Sequence, residues 1–113
     1  MKYLLMICMA EGVELTPEEQ AAMGSATESW VQEMDARGVR LQGDRLRPVS
    51  DATTVRVREQ DVLIADGPFA ETKEQIAGYD IVECADLDEA IEVAGKHPVA
   101  RYGAIEVRPF WQA

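Results

Sequence analysis

Tyr3-Leu4-Leu5-Met6-Ile7-Cys8-Met9 is an unbroken apolar run of seven residues. It is too short for a typical helix, and read as a strand it is apolar on both faces. Such a strand needs a cover on each side. The fold follows from asking which parts of the chain can supply those covers.

Downstream, Thr16-Pro17-Glu18-Glu19 opens a helix. Thr16 is the predicted N-cap, Pro17 the first helical residue and Glu19 the capping-box partner. Ala22/Met23, Ala26/Thr27, Trp30/Val31 and Met34 recur at helical spacing, with Trp30 and Met34 as core, and Gly38 stands where a left-handed residue would end the helix. Val39 to Asp51 reads as a connector, interrupted by Gly43, Pro48 and Ser50, with a short extended piece at Val39-Arg40-Leu41.

Thr53 to Glu59 alternates. Val55 and Val57 face one way, and Thr54, Arg56 and Arg58 the other. Glu59-Gln60-Asp61 connects this run to Val62-Leu63-Ile64-Ala65 as a hairpin. Arg56 and Arg58 would hold a carboxylate or phosphate if their face lined a cavity, and are solvated if it faces water.

Asp66-Gly67-Pro68-Phe69 then breaks the strand, predicting an Asx-type turn with Phe69 anchored in the core. Gly78 to Cys84 is a further strand, with Tyr79, Ile81 and Glu83 on one face and Asp80, Val82 and Cys84 on the other. Asp86 caps a second helix whose apolar stripe reads Leu87, Ala90, Ile91, Ala94. Gly95-Lys96-His97-Pro98 ends it, placing Lys96 and His97 at the negative end of the helix dipole. Ala104 to Arg108 is the last strand, followed by Pro109 and an aromatic Phe110-Trp111 tail.

This order predicts a single α+β domain over residues 1–113. Two strand-helix-strand units give a ferredoxin-like, antiparallel-rich sheet with both helices on one face. The second face of Tyr3–Met9 then has no cover within the chain. A second copy of the same sheet is the simplest one, which predicts a homodimer with sheets face to face, closing an α/β-barrel with a pocket inside or at its mouth.

The chain carries 11 Lys plus Arg against 21 Asp plus Glu, a formal charge of −10. That balance argues against binding nucleic acid or anionic membranes, which needs cations. No run approaches the roughly 20 apolar residues of a membrane helix, and no signal peptide is apparent, so a cytoplasmic location is expected. Cys8 and Cys84 lie in apolar runs and read as small buried hydrophobes, with a disulfide open to them only if their strands are neighbours. One histidine and no cysteine pair at ligand spacing predict no metal site, and no cofactor is expected.

Charged and turn-forming residues concentrate between Asp66 and Asp80. A small-molecule enzyme working by acid-base chemistry, without cofactor, on an anionic substrate has its parts here and nearby. Asp66, Glu71 or His97 would move protons, Lys73 and Arg101 would hold the anionic group, and Tyr79 or Tyr102 would donate a hydrogen bond. The alternative is a non-catalytic ligand-binding or regulatory module using the same pocket. A third possibility is that the Asp66–Phe69 turn only locks the dimer.

The run Asp66-Gly67-Pro68-Phe69-Ala70-Glu71-Thr72-Lys73-Glu74-Gln75, followed by Gly78-Tyr79, resembles the signature of the DGPF-containing, YCII-related family. The opening Met1–Ile7, Thr53-Thr54-Val55-Arg56, Asp86–Ala90 and the ending Gly103–Pro109 are similar as well. The resemblance implies a dimeric α/β-barrel with a ferredoxin-like protomer. Relatives of this kind have been proposed to use a His–Asp pair with the histidine on the first helix. Residues 17–37 hold no histidine here, and His97 lies where those relatives place an Asp-Pro dipeptide, so the dyad does not transfer. Some DGPF members are associated with extracytoplasmic-function sigma factors, which implies a possible regulatory link through a sigma factor.

Overall fold

The computed structural model describes residues 1–10, 12–70 and 74–112. Its elements are β1 (Lys2–Ala10), α1 (Pro17–Ala36), β2 (Arg40–Arg45), β3 (Thr53–Arg58), β4 (Asp61–Asp66), β5 (Glu74–Glu83), α2 (Leu87–Gly95) and β6 (Ala104–Pro109). Short 3-10 turns occupy Val49–Asp51 and Pro98–Arg101. The main sheet has the order β2-β5-β1-β6, antiparallel throughout. Each helix joins two strands that have a third between them, which is the ferredoxin-like arrangement. Strands β3 and β4 form a separate two-stranded sheet inserted between β2 and β5.

Strand β1 is central, and its two apolar faces have different fates. Tyr3, Leu5 and Ile7 are buried with Trp30 and Met34 of α1, Val82 of β5, and Ala90, Val93 and Ala94 of α2. Burying such side chains contributes about 1.5–3 kcal/mol each for the large ones. Leu4, Met6 and Cys8 alternate to the opposite face, where the register sets Ile81 beside Leu4 and Tyr79 beside Met6. Those residues are only half-buried, because both helices lie on the other side.

The helix ends are built as the sequence specifies. Thr16 Oγ1 accepts from the Glu19 amide at 3.1 Å, and Glu19 accepts from the Thr16 amide at 3.0 Å. At the other end Gly38 takes φ +70°. Its amide donates to Asp35 O and the Val39 amide to Met34 O, both at 3.0 Å, a Schellman closure. Trp30 is fixed by its indole N–H, which donates to Val93 O at 3.0 Å. The first turns of α1 stand off the sheet, with only Trp30 and Met34 fully buried along its length.

Several expectations are corrected. The connector after Gly38 is largely a strand: β2 pairs with β5 as an edge of the main sheet. Gly43 belongs inside it, because a Cβ there would collide with the Asp80 carboxylate and stand 2.7 Å from Tyr79 O. A close backbone approach reads as a break when only the sequence is seen. The buried stripe of α2 is Ala90, Val93 and Ala94, while Leu87 and Ile91 are exposed. Phe69 is 78 % exposed and so is not a core anchor. Cys8 and Cys84 are both free thiols, which agrees with their reading as small hydrophobes, though only Cys84 is buried and Cys8 is half-buried.

Two glycines give opposite predictions. Gly43→Ala forces the Asp80 carboxylate or the β5 backbone to move, and is expected to destabilise the fold by about 1–3 kcal/mol in urea unfolding. Gly24, inside α1 with nothing within 4 Å of an added Cβ, is expected to gain about 0.5–1 kcal/mol on replacement by Ala.

Candidate functional site

Because the first half of α1 stands off the sheet, a cleft of about 630 Å³ opens between that helix and strands β1, β5 and β2. Its size suits a small molecule. Met23, Thr27 and Val31 line it from α1, Arg40, Asp44 and Arg45 from β2, Asp80 from β5, and His97 from the segment after α2.

Asp80 shares the helix-covered face of β5 with Val82 and is 6 % exposed. Its Oδ1 accepts from Arg40 Nε at 2.8 Å. Arg40 reaches it because Leu41 is an extra residue in β2: Arg40 pairs with Val82, yet Gly43 pairs with Asp80. The bulge puts Arg40 and Gly43 on one face, and Arg40 Nη2 also donates to Gly43 O at 3.0 Å. Burial raises the Asp80 pKa above the ordinary carboxylate range; the Arg40 guanidinium opposes that shift without cancelling it, and Asp35 and Asp44 add to it. No donor among the described residues bonds its second oxygen, and Asp80 lines the cleft.

His97 is buried, and its ring stands edge-on to Trp30 with centroids 4.7 Å apart. Its Nδ1 accepts from the Val99 amide at 3.1 Å, capping the 3-10 turn. Burial lowers its pKa to about 4. It is therefore neutral at pH 7, and the reading of His97 as a charge at the helix end is corrected. The Val99 bond also fixes the tautomer: with Nδ1 accepting, the proton sits on Nε2. Nε2 has no hydrogen-bond partner among the described residues, and His97 lines the cleft. His97 thus offers the cleft a hydrogen-bond donor, and a free imidazole lone pair there would require losing the Val99 bond.

The Arg45 side chain makes no ion pair or hydrogen bond with the described residues, in a chain where acids outnumber bases. Arg37, Arg40, Arg47, Lys96 and Arg108 all have carboxylate partners.

The remaining residues singled out from the sequence are dispersed. Tyr79 borders the cleft, but strand alternation sends its side chain toward the uncovered sheet face. Arg101 and Tyr102 line a second cleft of about 640 Å³, on the other flank of α1, with Trp30, Glu33 and Lys96. Asp66 ends β4, exposed, opposite Thr53. Glu71 and Lys73 lie outside the described residues. Asp80 and Arg40 were not singled out. Their one sequence signal was a carboxylate alternating in phase with Val82 and Cys84 on an apolar strand face.

The sequence profile of the YCII-related domain matches residues 1–113. The chain belongs to the YCII-related family. An uncharacterised protein of Rhizobium meliloti (strain 1021) is 36 % identical to it, across 75 % of this chain and 82 % of that protein. The chemistry of this YCII-related chain is argued from the cleft. No helix among the described residues is long and apolar enough to cross a membrane.

The buried imidazole makes stability pH-dependent with a definite sign. The unfolded chain protonates its histidine below about pH 6.5 while the folded chain resists until about pH 4. Between those values the unfolded state binds more protons, so stability falls on acidification, by about 3 kcal/mol in all. Asp80, with its raised pKa, contributes the opposite slope in its own range. Urea unfolding at pH 7.5 and pH 5 should show a drop in the wild type that His97→Gln largely removes.

Proposed function

We propose that this YCII-related protein is an enzyme that binds a small anionic molecule in the cleft under α1 and moves a proton with Asp80. The observation that carries the reading is one buried carboxylate lining a cleft, with one oxygen held by Arg40 and the other without a donor among the described residues. Desolvation makes Asp80 a stronger base than an exposed carboxylate, which is what proton abstraction near neutral pH requires. Arg40 positions the carboxylate. The Nε2–H of neutral His97 donates to a substrate oxygen, where negative charge would gather as the proton leaves. Arg45 holds the anionic group. This reading gives proton transfer to Asp80 in place of Asp66 and Glu71, and gives His97 the role of donor in place of base. It calls for no cofactor.

A binding module with no turnover would use the same donors and the same arginine, so the test separates binding from chemistry. Thermal-shift screening against small mono- and dicarboxylates should yield a compound whose binding weakens at least about 10-fold in Arg45→Gln. Proton NMR of that compound with enzyme in deuterium oxide should show exchange or conversion. Asp80→Asn, which still accepts from Arg40, should bind the compound and lose about 100-fold or more of that rate. Binding that survives Arg45→Gln, or conversion that survives Asp80→Asn, would overturn the assignment.

A further inference from the structure

The cleft under α1 has two chemically different parts. Every charged residue of its lining, among those described, comes from β2 or β5: Arg40, Asp44, Arg45 and Asp80. The register shows how they sit on the sheet floor. Arg45 of β2 lies across from Gly78 of β5, and Gly78 across from Ile7 of β1. The next such row is Gly43, Asp80 and Leu5. Neighbouring strands are about 4.8 Å apart, so β2 and β1 stand about 10 Å from each other. Gly78 sends no side chain up between them, and the floor from Arg45 to β1 is bare.

Beyond that floor the lining is apolar. Met9 stands at the end of β1, Leu15 in the loop ahead of α1, and Met23 and Val31 on the helix itself. All four are half-buried, and Val13 beside them is 42 % exposed. The core leaves them partly in water because the first turns of α1 stand off the sheet. Apolar surface held in a concavity gains free energy when a ligand covers it. Two of the four are methionines, whose unbranched side chains adapt to the shape of what they cover.

Charge sets how many anionic groups the cleft can take. The Arg40 guanidinium is committed to Asp80 at 2.8 Å, which leaves Arg45 as the cation of the lining without a carboxylate partner among the described residues. One such cation recognises one anionic group. A second anionic group would lie beside Asp44 and Asp80 or against the apolar wall, and would lose its hydration with no partner in either place. The net charge of −10 adds to the repulsion.

We infer that the ligand of this cleft is a monocarboxylate with an apolar body, an alkyl or aryl group of several carbons. Its carboxylate lies on Arg45, its first carbons over Gly78 and beside Asp80, and its body under α1 against Met9, Leu15 and Met23. The inference rests on the anion-binding role given to Arg45 above and narrows it. Small dicarboxylates and phosphorylated polar compounds, which an arginine alone would accept, are excluded by the wall opposite.

NMR titration of nitrogen-15-labelled protein with butanoate, hexanoate and hexanedioate tests it. Each methylene that enters the apolar part should tighten binding about 4-fold, so hexanoate should bind at least about 10-fold more tightly than butanoate. Hexanedioate, with a second carboxylate in place of the terminal methyl, should bind at least about 10-fold more weakly than hexanoate. Amide shifts should concentrate on β2, β5 and the first half of α1. Met23→Gln keeps the side-chain length and puts an amide in the wall; it should cut the hexanoate-to-butanoate ratio to about 3-fold or less. Met23 also packs on the core cluster, so Leu15→Gln, outside the helix, is the second variant for the same ratio. Equal binding of butanoate and hexanoate, hexanedioate binding as tightly as hexanoate, a ratio unchanged in both variants, or shifts confined to the opposite sheet face would overturn the inference. Arg45→Gln separates the two readings. A flat series that still weakens in Arg45→Gln removes the apolar body and leaves the anion site standing, whereas a steep series indifferent to Arg45→Gln removes the anion site and this inference with it.

Discussion

The structure turns on one buried charge. Asp80 points into the helix-covered side of a sheet whose neighbours there are Leu5 and Val82. A lone carboxylate in that position costs several kcal/mol, and Arg40 is the group that offsets the cost. Everything needed to deliver Arg40 is visible around it. The Schellman closure at Gly38 turns the chain from α1 into β2, the Leu41 bulge brings Arg40 and Gly43 to one face, and Gly43 leaves room for the carboxylate. Asp35, at the end of α1, stands 3.8 Å from the outer nitrogen of the same guanidinium. The edge strand, the end of the first helix and the central pair of strands are tied at this point.

The same arrangement creates the cleft. The last turns of α1 are committed to the core through Trp30 and Met34, while its first turns carry Glu18, Glu19, Gln20 and Ala22 and have little apolar surface to bury. The helix therefore packs at its C-terminal end and stands away at its N-terminal end. The gap exposes the inner face of the sheet where Asp80 lies, and the segment after α2 closes it with His97. Burial does two chemically different things there. It makes the carboxylate a better base, and it keeps the imidazole neutral, with its proton directed at the cleft by the Val99 amide.

Local signals in the sequence were reliable where they were self-contained. Thr16 with Glu19, Gly38 as the left-handed stop, the Val55/Val57 alternation and the two-sided apolar run Tyr3–Met9 each specify their structure through neighbours a few residues away. The failures were all relational. Leu87 and Ile91 look like a helix stripe, but which side of a helix is buried depends on where the sheet lies, and Val93 took the place. Phe69 looks like an anchor, but nothing in its vicinity forms a core. Gly43 looks like a break because the group that excludes a side chain there, Asp80, is far away in sequence.

By itself, then, the sequence determined the helices, every strand but the edge strand β2, the ferredoxin-like order and the expectation that one face of the sheet lacks a cover. These follow from short-range periodicity and capping, which depend on contacts within a turn or along a strand. Tertiary structure alone decided which titratable groups share a cleft. Arg40 and Asp80 meet through a bulge and an antiparallel register, and the His97 tautomer is set by a backbone amide in the following turn. Electrostatic pairing and desolvation depend on distances between segments remote in the chain, and those distances exist only after the core around β1 has closed.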